Sequence, residues 1–153
     1  MRRAILTLAL LATLVAAGCG GGGGNSTEDF QSSVVETRNT VDGALAHITD
    51  NPSGKDELHQ RMDQAATTID AAAESLDRKE APEEMTDEQE RLVTAYRQLA
   101  VDLSSTADQI RQPDFGGVLQ GAQGLSFESW EHANTALAQL KAQGIEVQPL
   151  GRH

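Results

Sequence analysis

Apolar residues return at every seventh position through most of this chain: Val34, Val41 and Ile48; Met62, Ile69 and Leu76; Tyr96, Leu103 and Ile110. In the last part Trp130 stands seven before Leu137, and Ala133 seven before Leu140. An average period of 3.5 residues keeps one apolar stripe facing its neighbours when helices cross at about 20° with a left-handed twist. Phe30, Leu45, Leu58, Ala65, Leu92 and Leu99 widen these stripes. Strict alternation, the mark of a half-buried strand, is confined to Ile145-Glu146-Val147. The pattern predicts helices over residues 27–50, 55–79, 87–111 and 126–143, with a short helical piece over 116–124. Prolines at 52, 82, 113 and 149 interrupt none of the periodic segments and mark the connections between them. Short connections make sequential helices antiparallel neighbours, so the expected fold is all-α, an antiparallel four-helix bundle of the left-handed up-down type.

Local chemistry at the helix ends agrees. Thr86-Asp87-Glu88-Gln89 has the capping-box pattern, in which the threonine oxygen meets a free amide and Gln89 reaches back. Ser126 is placed to cap the last helix, and Gly144 to end it in the left-handed conformation. Glu57 with Arg61, Glu74 with Arg78, and Asp87 with Arg91 are acid-before-base pairs four apart, each worth only about 0.2 to 0.5 kcal/mol.

The first residues follow a different logic. Arg2 and Arg3 precede an apolar run from Ala4 to Ala17, after which Gly18 leads to Cys19. That is the layout of an export signal. Fourteen residues rise about 21 Å as a helix, short of the roughly 30 Å of a hydrocarbon core. Val15-Ala16-Ala17-Gly18-Cys19 resembles the lipobox of bacterial lipoproteins, with Ala16 standing where that family prefers leucine. The resemblance implies cleavage before Cys19 and transfer of a diacylglyceryl group to its thiol. Cys19 is the only cysteine, whereas an exported protein using cysteines structurally needs pairs. Gly20 to Gly24 with Asn25 and Ser26 then read as a flexible tether of at most about 24 Å. The expected division is a signal peptide over 1–18, the lipidated cysteine and tether over 19–26, and the helical domain over 27–153. In architecture, the whole chain is similar to small exported helical-bundle lipoproteins of unassigned function.

Charge narrows the partners. Removing residues 1–18 takes two of the 12 basic residues and none of the 23 acidic ones, leaving 10 against 23 and a formal charge of −13. Such a chain repels polyanions, and it has no basic patch interleaved with aromatics, so nucleic acid is not an expected partner. An acidic surface also adheres poorly to anionic lipid, so attachment to the membrane falls to the anchor at Cys19. With aromatic residues at 3% and no disulfide pairs, stability must come from many aliphatic and alanine contacts.

Three stretches invite a chemical reading. Asp56-Glu57-Leu58-His59 has an acid and a histidine three apart, as in di-iron bundles, but Ala44 and Ser129 stand three before His47 and His132, so no matching pair exists. Gly124-Leu125-Ser126-Phe127-Glu128 lacks the second glycine and the strand of a nucleophile elbow. The acidic run Glu80, Glu83, Glu84, Asp87, Glu88 and Glu90 lacks the glycine-turned spacing of a calcium loop and suits a solvated helix start. No catalytic residue, metal site or cofactor is therefore called for. The stretch 113–130 gathers three of the five aromatics, Phe115, Phe127 and Trp130, beside Gly116, Gly117, Gly121 and Gly124. It reads either as a corner that seals one end of the bundle or as a ligand or partner surface built on those three aromatics. The functional expectation is a non-enzymatic protein, lipid-anchored on the extracytoplasmic side of a cell membrane, acting as an interaction or structural module of the cell envelope. The alternative is an extracytoplasmic protein that binds a small molecule or cation.

Overall fold

The computed structural model describes residues 27–48, 52–110 and 127–152. The expectations for the signal peptide, Cys19, the glycine tether, the helical piece at 116–124, Phe115 and Ser126 lie outside those residues. Within them the chain is helical: α1 Thr27–Ala46, α2 Lys55–Asp77, α3 Thr86–Ile110 and α4 Glu128–Ala142, with a 3₁₀ turn Glu83–Met85 leading into α3. No helix among the described residues is long and apolar enough to cross a membrane.

The seven-residue pattern is what the helices bury. Val34, Val41, Ile48, Met62, Ile69, Leu76, Tyr96, Leu103 and Ile110 are at most 1% exposed, as are Ala133, Leu137 and Leu140. Alanines 65, 66, 72 and 73 on α2 and 95, 100 and 107 on α3 share the same cluster, and their small side chains let the two axes approach. The extensive packed pairs are α1 with α2, α2 with α3 and α3 with α4, that of α2 and α3 being the broadest.

Polar ties cross each pair. Arg61 of α2 donates to the His47 carbonyl at 3.0 Å just beyond α1, and Arg97 of α3 pairs with Asp77 of α2 at 2.8 Å. Ser129 of α4 donates to Asp102 of α3 at 2.5 Å, and Arg91 reaches Gln139 at 3.4 Å.

Two predicted ends are built differently. Thr86 already has helical dihedrals, φ −61° and ψ −43°, because the 3₁₀ turn behind it, closed by Met85 N–H to Pro82 O at 2.8 Å, delivers the chain in helical form. Its hydroxyl lies 3.4 Å from the Pro82 carbonyl instead of capping an amide. Gln89 does not reach back within α3. It is buried, and its amide donates to Leu76 O and Lys79 O at 2.7 Å each, satisfying carbonyls at the end of α2, whose last turn carries no basic residue. The capping box is thus replaced by a side-chain cap on the neighbouring helix. In the same region Arg91 pairs with Glu88 at 3.4 Å in place of Asp87. Glu57–Arg61 and Glu74–Arg78 form as expected, at 2.5 and 2.7 Å.

Gly144 ends α4 at φ +100°, with its amide on Lys141 O and the Ile145 amide on Leu140 O, the paired bonds of a Schellman turn. Beyond it, residues 145–152 run back without regular structure as a strap between α1 and α4, with a tight turn at Glu146 where the Val147 amide donates to Ile145 O at 2.9 Å. The alternation at Ile145-Glu146-Val147 is real, but it belongs to this strap and not to a sheet: Ile145, Val147 and Leu150 point into the core at 0 to 3% exposure. The flanking helices hold its backbone. Gln31 accepts the Glu146 amide at 3.1 Å, Arg38 donates to the Pro149 carbonyl through Nε at 3.1 Å, and Asp42 accepts the Gly151 amide at 2.7 Å. From the other side Asn134 accepts the Leu150 amide at 2.7 Å.

Candidate functional site

The aromatic corner divides in the structure. Phe127 and Trp130 are both half-buried and packed on the core, Phe127 as the extended residue before α4, φ −75° and ψ 143°. No side chain caps that helix start; the tie from Ser129 to Asp102 fixes its first turn to α3. Trp130 carries the Arg152 guanidinium over its ring at 5.2 Å from the centroid, and Glu131 takes the same guanidinium at 3.4 Å. One face of the tryptophan is therefore covered by the end of the strap. Phe115, the third member of the predicted surface, lies outside the described residues. The two that are described both pack against the core.

The other side of α4 shapes a groove against α3, about 870 Å³ in volume and floored by Ala95 and Ala136. Its walls carry Arg91, Thr94, Gln98, His132, Thr135 and Gln139. Arg91 is held by Glu88 and Gln139, and His132 stands 3.7 Å from Glu128. The groove offers hydrogen-bond donors and acceptors over a small apolar floor, a surface suited to reversible polar contact. Sequence periodicity gives its alanine floor but not its opening, which depends on the crossing of two helices.

Around this groove the Ser129–Asp102 contact resembles two members of a hydrolytic set. Ser129 is only 1% exposed, and Asp102 also accepts from Gln98 at 3.0 Å, which makes the cluster a buried tie between helices. His59 is likewise buried and pairs with Asp63 at 3.2 Å, and the exposed Asp56, one turn earlier, lines the same shallow depression without a bond to it. Among the described residues no three histidine, cysteine or carboxylate side chains converge on one point, and the acidic run from Glu80 to Glu90 is spread over the 3₁₀ turn and the first turns of α3.

Among the described residues two ionisable groups depart from ordinary behaviour. The Glu57 carboxyl is pushed down to about 2 because the Ser53 hydroxyl and amide donate to it, with Arg61 adding a further hydrogen bond and its charge. Tyr96 is fully buried and its hydroxyl has no hydrogen-bond partner. Burial drives its ionisation far above the usual range, opposed by the charge of Arg38 and assisted by that of Asp42. Arg38 and Asp42 are also a pair, 3.3 Å apart, and are two of the three α1 residues that clasp the strap. A sequence reading finds Tyr96 as a core residue; that its hydroxyl is left unpaired is set by what α1 places above it.

No protein family, curated protein or solved structure matches this chain.

Proposed function

We propose that this chain is a lipid-anchored, non-enzymatic protein of the bacterial cell envelope, held on the extracytoplasmic side of a membrane through Cys19 and acting as an interaction or structural module. The observation that carries the reading is the order of the first 27 residues: an apolar run too short to span, Val15-Ala16-Ala17-Gly18-Cys19, five glycines, and then a helix that begins at Thr27. Lipid at Cys19 gives that order a use, since two acyl chains anchor stably where one holds marginally.

The domain that follows is an antiparallel up-down bundle in this proposal. Late α1 meets early α2 through His47 and Arg61, late α2 meets early α3 through Leu76 and Gln89, and α3 and α4 pair Arg91 with Gln139 and Asp102 with Ser129. Those registers support alternating directions. The strap rises along α1 and descends along α4, which supports the same arrangement for the closing pair.

The test is the mass of the protein extracted from membranes. It should lack residues 1–18 and carry the added mass of acyl chains on Cys19, and Cys19→Ala should remain unprocessed or leave the membrane with its helical content intact. Unmodified protein in the medium with another amino terminus would refute the anchor. A second reading, an extracytoplasmic small-molecule binding protein, is favoured by the groove between α3 and α4. A metabolite that raises the melting temperature and shifts resonances of Thr94, His132 and Thr135 would support it over the interaction module; recovery of a specific envelope protein partner without such a ligand would support the module.

A further inference from the structure

The end of the bundle at which α1 begins is acidic. Ser33 and Thr37 of α1 border the same depression as Ser75, Leu76 and Lys79 of α2 and the residues just beyond it. Gln89 of α3 caps Leu76 O and Lys79 O, Arg91 reaches Gln139 of α4, and the Glu146 amide returns to Gln31. These contacts gather residues 27–33, 77–91 and 139–146 at one end. Among the described residues those three segments carry ten carboxylates against four basic side chains, and Glu80, Glu83, Glu84 and Asp87 are exposed. The same end receives the chain from Cys19: Thr27 opens α1 eight positions after that cysteine, with the exposed Glu28 and Asp29 in its first turn. The proposed anchor and the acid therefore share one end of the molecule.

We infer that the lipid-held bundle turns this acidic end toward an anionic lipid surface and is pushed off it, standing at the full reach of its tether with Lys55, Trp130 and Arg152 at the end presented outward; the inference rests on the anchor at Cys19. A basic side chain close to an anionic surface gains roughly fivefold in occupancy, and each carboxylate in excess loses about as much by the same field. This end has six more carboxylates than cations, so the loss compounds. The field fades over about 10 Å at 0.1 M salt, whereas the seven residues of the tether average about 15 Å and reach about 24 Å. The tether is thus long enough to carry the end out of the field, and the charge supplies the force that extends it. Tilting the bundle brings no relief, because the chain enters at the acidic end whatever the tilt.

The experiment couples the mature chain, from residue 19, through its single thiol to a maleimide-headgroup lipid in vesicles. The anchor is then supplied chemically, so absence of lipid on Cys19 in the cell strikes the proposed function and leaves this readout intact. Trp130, the one tryptophan, stands twelve residues before the end of α4, about 18 Å above the acidic end, and transfers energy to dansyl-labelled headgroups roughly as the inverse fourth power of its height. Mean and full extension of the tether put the ring about 33 and about 42 Å above the surface. At about 10 mM salt, transfer on vesicles of equal parts phosphatidylglycerol and phosphatidylcholine should therefore be about two- to threefold weaker than on phosphatidylcholine alone, and about 1 M salt, with a screening length near 3 Å, should erase the difference. Glu80→Gln, Glu83→Gln and Glu84→Gln together should raise transfer on the anionic vesicles. Asp56→Asn, Asp108→Asn and Glu128→Gln together remove as much charge toward the opposite end and should leave it near the parent's. Equal transfer on the two lipids at low salt would overturn the inference, as would equal responses to the two triple variants. Where a triple variant loses helical signal, the lipid and salt comparisons on the parent decide.

Discussion

Replacing Tyr96 by phenylalanine should make this protein more stable, although it removes a polar group from the one tyrosine of the chain. The ring is fully buried and its hydroxyl is unpaired. Taking an unsatisfied donor and acceptor out of the interior recovers about 1 to 3 kcal/mol of desolvation cost. The void left by one oxygen, roughly 10 Å³, returns only about 0.2 kcal/mol at roughly 24 cal/mol per Å³. A net gain of about 0.8 to 2.8 kcal/mol follows, and with an m-value near 2 kcal/mol per molar urea the midpoint should rise by about 0.4 to 1.4 M. Equilibrium urea unfolding of Tyr96→Phe and the parent, followed by far-ultraviolet circular dichroism, measures it. Alkali provides an internal check of sign. Above about pH 10 the unfolded chain releases its tyrosine proton while the folded chain, with the ionisation pushed up by burial, keeps it. The parent therefore loses up to about 1.4 kcal/mol per pH unit in that range and the variant does not, so the gap between them should widen. A variant less stable by more than about 0.5 kcal/mol, or tyrosinate absorbance that grows in the folded parent at the pH of free tyrosine, would refute the reasoning by showing that the hydroxyl is solvated or bonded.

Leu103→Ala, at a fully buried site in the centre of α3, should cost about 2 to 5 kcal/mol in reversible unfolding, the spread reflecting how far the cavity collapses. Gln89→Leu should cost about 1 to 3 kcal/mol by stripping Lys79 O of its donor and Leu76 O of its second one, beside the Lys79 amide. Gln89→Glu should be worse at neutral pH, where a carboxylate faces two carbonyl oxygens, and should recover as acid protonates it; urea titrations at two pH values separate the pair. For Glu57, the depressed carboxyl contributes stability above its ordinary value near 4.5 that is lost as pH falls toward 2. The difference between Glu57→Gln and the parent, followed by thermal melts across that window, should accordingly shrink toward zero in acid.

The helices were legible because their cause is local and repeated. Val34, Val41 and Ile48, or Tyr96, Leu103 and Ile110, announce one buried face by their spacing alone, and every one of them is buried. Gly144 was legible for a related reason, since a glycine after the last periodic residue has one common use. The strap was not. Ile145-Glu146-Val147 shows three alternating positions, but the groups that hold them, Gln31, Arg38 and Asp42, stand more than a hundred residues earlier, and nothing in the local pattern points to them. Thr86-Asp87-Glu88-Gln89 misled because the motif describes a helix start in isolation. Here a 3₁₀ turn precedes the helix, and carbonyls at and just beyond the end of α2 compete for the glutamine. In the candidate surface, Phe127 and Trp130 both pack on the core, while the Arg152 that lies over Trp130 stands more than twenty residues later in the sequence.

The strap also sets when the protein can finish folding. Its anchors tie residue 31 to residue 146 and residue 42 to residue 151, so the first helix acquires its last neighbour only from the final eight positions described. A chain threaded amino terminus first through a narrow channel, whether a ribosome tunnel or a secretion pore, keeps this core unsealed until its tail has come through. Early compaction behind the pore is thereby limited to helix pairs, and until residues 145–152 arrive nothing fills the space between the first helix and the fourth.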